Sequence, residues 1–180
     1  HKKYKEQQLE PDAGKKRKLA AQLAPHIYNL VGKAHTRMSQ NRKSQSILIS
    51  GESGAGKTEA MKIAIDHLSL LSQAGGGRRS MAAGESMGDK VKCTSDIMEP
   101  IGNAKTVRNH NSSRFGKHID IEFGADGQLL GAKTSVYLLE KPWVIRHDPG
   151  ERNYHIFYMC CFAGDPDVRR TCLLEEEIPV

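Results

Sequence analysis

Gly51-Glu52-Ser53-Gly54-Ala55-Gly56-Lys57-Thr58 satisfies the pattern G-x-x-x-x-G-K-[ST] at every fixed position. Glycines there let the backbone close around phosphate oxygens with its amide N–H groups turned inward, and a helix N-terminus behind them adds a positive dipole end. Lys57 is placed to reach the β- and γ-phosphates as a point charge, and the Thr58 hydroxyl suits a magnesium ion. A glycine-rich turn ahead of an ordinary helix is the bland alternative. The flanks favour the phosphate cradle, because an apolar run precedes the loop and an amphipathic pattern follows it.

A second polar cluster runs through Asn103-Ala104-Lys105-Thr106 to Asn109-His110-Asn111-Ser112-Ser113-Arg114-Phe115-Gly116-Lys117. It reads equally as a surface loop or as a set of hydroxyls and amides arranged around a γ-phosphate, where catalysis is mainly positioning and electrostatics.

The elements that must position these groups follow from periodicity. Ile47-Leu48-Ile49 is too short for a helix and predicts a buried, parallel strand leading into the loop. After it, Met61, Ala64, Ile65, Leu68 and Leu71 recur at helical spacing. Upstream, Pro25 suits a first helical position, and Ile27, Leu30, Val31, Ala34 and Met38 form one apolar stripe that ends in the polar turn Asn41–Ser44. Residues 73–89 shift to glycine, arginine and small polar residues, the composition of a flexible loop.

A regular segment resumes near Val91 and runs to Gly102, with Pro100 expected to end or kink it. His118–Phe123 alternates, which puts Ile119, Ile121 and Phe123 on one face; Ala125-Asp126-Gly127 supplies a turn, and Leu129–Leu139 returns as a second strand. The aromatic-rich Asn153–Ala163 predicts a helix closed by Gly164. The order strand, glycine-rich loop, helix, then hairpin gives an α/β fold: a mixed sheet of the P-loop nucleotide-hydrolase type, flanked by helices.

With 180 residues, 38% hydrophobic and 27% charged, the chain is long enough to bury a core. Its apolar residues fall in periodic runs, which excludes a disordered chain. No apolar stretch approaches the roughly 20 residues that cross a bilayer, and no signal-peptide pattern opens the sequence, so a cytoplasmic location is expected. Cys93, Cys160, Cys161 and Cys172 have no C-x-x-C spacing and read as reduced structural thiols. The net charge of +6 comes without interleaved aromatic residues, so nucleic acid is not expected as a partner. His118, His147 and His155 lack metal-ligand spacing and read as structural.

Together, Gly51–Thr58 and Asn109–Lys117 resemble the P-loop and switch I of the myosin motor domain. Kinesins share a P-loop and an N-x-x-S-S-R switch I, but Phe115-Gly116-Lys117 after the arginine is the myosin form. Pro25-His26-Ile27-Tyr28, Gln45-Ser46-Ile47-Leu48, Tyr137-Leu138-Leu139-Glu140-Lys141 and Glu151–Tyr158 extend the likeness across residues 25–164. Residues 1–24 are then a polar leading segment, 73–89 the surface loop 1, 109–117 switch I, 118–139 a hairpin, and 165–180 the start of the next motor segment.

The resemblance implies ATP and Mg2+ as ligands, with Gly51, Glu52, Ser53, Gly54, Ala55, Gly56, Lys57 and Thr58 as the cradle. It implies Lys57 on the β- and γ-phosphates, Thr58 and Ser113 on the metal, and Asn109 on the phosphate chain. Ser53 and Ser112 would lie beside the γ-phosphate, Ser112 as proton relay, and Arg114 would pair with a switch II glutamate on closure. Partners would be actin filaments, contacted mostly through regions outside this chain, and light chains or calmodulin on a lever arm not included in it. The location would be cytoskeletal.

Switch II is not found. Asp120-Ile121-Glu122-Phe123-Gly124 invites the assignment, but its alternation belongs to a half-exposed strand. The adenine-contacting segment, the relay helix and the converter are likewise expected outside the 180 residues. Pro100 and Pro142-Trp143 depart from the family pattern, and Trp143 is expected to be a packing residue. The alternatives are a nucleotide-binding fragment without turnover, and another P-loop enzyme such as a kinesin-like motor or a kinase.

Overall fold

The computed structural model describes residues 2–22, 24–74, 87–162 and 165–174. They form seven α-helices and four short strands: α1 Lys2–Leu9, α2 Ala13–Gln22, α3 Ile27–Asn41, α4 Lys57–Ala74, α5 Met87–Gly102, β1 Asn103–Ala104, β2 Ser112–Ser113, β3 Gly116–Phe123, β4 Leu129–Tyr137, α6 His155–Cys161 and α7 Pro166–Thr171. The chain is an α/β fragment whose described strands make two two-stranded sheets, β1–β2 and β3–β4. It divides into two compact units, one of residues 1–51, 55–92 and 119–133, the other of 52–54, 93–118 and 134–180.

The first unit is built on α3 against α4. The predicted stripes supply part of the contact: Val31 of α3 is fully buried and Ala64 and Ile65 of α4 are buried, whereas Leu30 of the α3 stripe is 53% exposed and Tyr28, outside that stripe, is buried in its place. The His67 ring stacks on Tyr28 with centroids 4.5 Å apart, and the T-shaped pair of His35 with Phe123 joins the hairpin tip to α3. Leu129 N–H donates to Ser72 Oγ, and Arg42 Nη1 donates to the Ala125 carbonyl, which fixes the turn on α4 and on the end of α3.

Helix α3 begins at Ile27, two residues after Pro25. His26 is its N-cap, with Nδ1 accepting from Tyr28 N–H; the imidazole occupies a donor that a serine or aspartate would usually take. Arg42, at φ 52°, ends the helix in a left-handed C-terminal turn.

The expected strand at Ile47–Ile49 is not formed. Residues 42–50 are irregular, and Leu48 is 91% exposed. A strand is stabilised by its ladder, and no described residues supply a neighbouring strand for this run. Of the loop expected at 73–89, residues 73–74 belong to α4 and 87–89 to α5, and residues 75–86 lie outside the described residues.

In the second unit Ala104 and Tyr154 are the buried centre. Strands β1 and β2 pair antiparallel with Asn103 opposite Ser113 and Ala104 opposite Ser112, and Ala104 also bridges to Tyr154. Helix α5 runs through Pro100 and stops at Gly102. Proline holds a helical φ and loses only its own donor, so two further residues stay in the helix. Gly102 ends it because the Phe115 ring lies against the α-carbon: a Cβ would meet Phe115 Cε1 at 2.3 Å.

The β3–β4 hairpin has the predicted alternation, with Ile119, Ile121 and Phe123 half-buried and His118, Asp120 and Glu122 exposed. That placement agrees with rejecting 120–124 as switch II. The second strand ends at Tyr137 rather than Leu139, because Leu138 adopts a left-handed φ of 57°. Helix α6 starts at His155 and is capped at Phe162, shorter than 153–163; Gly164 lies outside the described residues.

Candidate functional site

The glycine-rich loop has the backbone that its pattern requires. Gly54 and Gly56 sit at φ 82° and 84°, where a side chain would be strained, and no atom lies within 4 Å of a Cβ built on Gly56. Helix α4 begins at Lys57, and Ala60 N–H already donates to the Gly56 carbonyl. The first-turn N–H groups therefore face the loop without helical acceptors.

Lys57 is the first residue of α4, and a cation at the positive end of a helix dipole is unfavourable by a few tenths of a kcal/mol or more. Its Nζ donates to the Gly51 carbonyl at 2.7 Å, which holds the ammonium over its own loop. An anion in the cradle would satisfy both the helix end and the ammonium. Thr58 follows in the same first turn, with Glu59.

Ser53, in the middle of the loop, belongs to the second unit and there meets the polar segment 109–117. Its Oγ lies 3.1 Å from Ser112 Oγ, and Arg114 Nη1 donates to the same Ser112 oxygen at 3.2 Å. Ser112 is 3% exposed, so these contacts account for a buried hydroxyl that would otherwise be costly. The Cβ of Asn109 lies 4.0 Å from the Cβ position of Gly54.

Asn109 holds its loop from within. Its backbone N–H donates to Thr106 Oγ1, its carbonyl accepts from Thr106 N–H, and its side-chain oxygen accepts from Asn111 N–H. Ser113 takes its place in β2 with an exposed side chain. The sequence-predicted residues thus fall into two groups, Ser53–Asn109–Ser112–Ser113–Arg114 in one unit and Gly51, Ala55–Thr58 in the other.

Arg114 has an acidic partner within the chain. Its Nε and Nη2 donate to Glu140 Oε2 at 3.1 and 2.5 Å, and its guanidinium lies 4.6 Å from the centroid of the Trp143 ring. Trp143 Nε1 donates to the same Glu140 oxygen at 2.8 Å. The expected packing residue does pack, on an arginine. Tyr154 O–H donates to the Glu140 carbonyl; burial pushes its phenol above the usual value, Glu140 adds to that, and Arg114 opposes it. Sequence reasoning did not join Glu140 and Trp143 to Arg114, because no periodicity relates residues 26 positions apart across a hairpin.

A second network holds Asn111, in the same polar segment. Asn111 Nδ2 donates to Glu99 Oε2, which leaves Asn111 Oδ1 to accept from Asn103 Nδ2 at 2.9 Å. His155 Nε2 lies 3.1 Å from that same oxygen. An oxygen only accepts, so His155 presents its Nε2–H. Burial holds the His155 pKa below the usual 6.5, with repulsion from Arg152 adding and Glu99 opposing.

Among the described residues no three His, Cys, Asp or Glu side chains are grouped to hold a metal ion, and no helix is long and apolar enough to cross a membrane. Magnesium ligation by hydroxyls and phosphate is a different donor set, and Thr58 and Ser113 have the oxygen chemistry for it.

Comparison with known proteins points to one family. The family described as myosin head (motor domain) matches residues 2–178. Unconventional myosin heavy chain 6 of Caenorhabditis elegans is 46% identical over 149 residues, 83% of this chain and 7% of that protein. Myosin-6 of Arabidopsis thaliana is 45% identical over 86% of this chain and 10% of its own length. Myosin-3 of C. elegans is 40% identical over 97% of this chain and 9% of its own length. The chain thus spans a tenth or less of the length of these relatives. A phosphate-type loop, a switch-like loop hydrogen-bonded to it, and matches along nearly the whole chain lead to one assignment: the chain belongs to the myosin head (motor domain) family.

Proposed function

We propose that the chain binds Mg·ATP through Gly51–Thr58 and forms the nucleotide-binding segment of an actin-based myosin motor. The observation that carries this reading is the left-handed pair Gly54 and Gly56 leading directly into the N-terminus of α4 at Lys57. Lys57 would move from the Gly51 carbonyl to the β- and γ-phosphates, exchanging a neutral acceptor for a charged one. Thr58 and Ser113 would hold Mg2+, which when bound neutralises charge on the phosphate oxygens.

Ser53 and Ser112 would turn their hydroxyls to the γ-phosphate, and Asn109 would contact the phosphate chain. Ser112 would pass on the proton of the attacking water, since its oxygen sits in a hydrogen-bonded line with Ser53 and Arg114. Arg114 would then leave Glu140 for a second carboxylate when the site closes, excluding water from the reacting centre. In the whole protein this cycle would drive movement on actin filaments in the cytoplasm, with light chains or calmodulin on the lever arm.

A second reading, nucleotide binding without turnover, is favoured by one observation: Arg114 already has a carboxylate partner inside the chain. Mg·ATPase assays with and without filamentous actin separate the two. Turnover that rises with actin supports the motor. A flat, negligible rate alongside measurable ATP binding supports the second reading, and the absence of binding contradicts both.

A further inference from the structure

We propose that Trp143 is a positioning residue that, with Glu140, holds Arg114 away from the closed arrangement until nucleotide arrives. Each nitrogen of the guanidinium is engaged. Nε and Nη2 are on Glu140 Oε2, Nη1 is on Ser112 Oγ, and the ring of Trp143 covers one face at 4.6 Å. The indole is itself anchored: its N–H donates to Glu140 Oε2 and its backbone carbonyl accepts from Asn153 Nδ2 at 2.9 Å. The backbone carbonyl of Glu140 is held by the Tyr154 hydroxyl, so neither half of the clamp swings away freely.

Trp143 therefore acts twice on Arg114. It stacks on the cation, and its N–H keeps the Glu140 carboxylate turned toward the guanidinium edge. Arg114 and Trp143 are both half-buried, and even at the weak end of its range a cation–π contact is worth a factor of about two to five in population, so it biases Arg114 without locking it. The signal also has a path to the phosphate site. Ser112, which accepts from Arg114, is the residue that touches Ser53 of the glycine-rich loop. A γ-phosphate that recruits the two serines removes the Nη1 contact and weakens the hold at its third point.

The release step rests on the nucleotide reading above; the clamp does not. The sequence holds a single tryptophan, so tryptophan emission in the full 180-residue chain reports the surroundings of Trp143 alone. Emission and acrylamide quenching are compared for wild type and Arg114→Ala, with circular dichroism as the check on folding. The expected result is a raised quenching constant and a shifted emission maximum in the variant. Emission and quenching equal to wild type overturn the clamp. If Arg114→Ala loses its helical signal, Arg114→Lys, which keeps the charge and loses the planar fork, is read in its place with the same expectation.

Calorimetry then follows Mg·ATP binding. Bound Mg·ATP should move wild-type quenching toward the Arg114→Ala value, and Trp143→Leu should bind Mg·ATP about two- to fivefold tighter because the hold is gone. Binding with no change in Trp143 emission, or an unaltered affinity in Trp143→Leu, overturns the release step. An absence of binding to wild type contradicts the nucleotide reading instead, and the Arg114→Ala comparison still decides the clamp.

Discussion

Lys57 and the two left-handed glycines give the residue scale its clearest expectations. Gly56→Ala places a Cβ at φ 84° in open space, so its cost is conformational, about 1–2 kcal/mol with no steric contribution. Thermal denaturation should show a modest drop in Tm, and a Tm equal to wild type would contradict the left-handed backbone. His155 makes a pH-dependent contribution. Its folded pKa is held below 6.5, mainly by burial, so the unfolded chain takes up a proton that the folded chain refuses. Stability attributable to His155 is present above about pH 6.5 and falls as pH drops through that value, levelling below the folded pKa. Urea unfolding at pH 7.5 and 5.5 should show a larger loss in wild type than in His155→Gln; equal losses would contradict the assignment.

At the scale of elements, two glycines set the spacing in the second unit. Gly102→Ala would drive a Cβ into Phe115 at 2.3 Å, and Gly116→Ala would meet the Tyr137 ring at 2.4 Å. Each should lower stability by about 1–3 kcal/mol, as overpacking does, with little change at Gly131, where a Cβ meets nothing within 4 Å. Denaturant midpoints of the three alanine variants test this ordering.

The elements also show what periodicity can and cannot reveal. The stripe of α4, that of α3 apart from the exposed Leu30, and the alternation of β3 were legible, because each is a local response to burial on one face. Phe115 against Gly102, and Glu140 with Trp143 against Arg114, were not, since those contacts join residues that only the fold brings together. The Ile47–Ile49 run shows the opposite error. Its composition suits a buried strand, yet a strand is a property of a pair, and no described partner lies beside it. The flexible stretch expected at 73–89 was read from composition, and its first two and last three residues are helical instead.

For the whole molecule, the division into two units matters more than any single contact. The division runs through the glycine-rich loop, with Glu52–Gly54 in one unit and Gly51 and Ala55–Thr58 in the other. Binding to the folded chain alone should then raise its apparent stability by about 2.7 kcal/mol at a hundredfold excess over Kd. The resemblance made the family legible from two short motifs, and the residue roles proposed for Gly51–Thr58 and Asn109–Arg114 rest on it. What the sequence did not reveal is the state of Arg114, which depends on a carboxylate beyond the far end of a hairpin.

The most direct test of the central claim is an equilibrium titration of the 180-residue chain with Mg·ATP, run in parallel on Lys57→Ala of verified helical content. Saturable binding by wild type, abolished or weakened by orders of magnitude in Lys57→Ala, is the predicted result. Equal binding by both proteins, or none by a folded wild type, would contradict nucleotide binding through Gly51–Thr58.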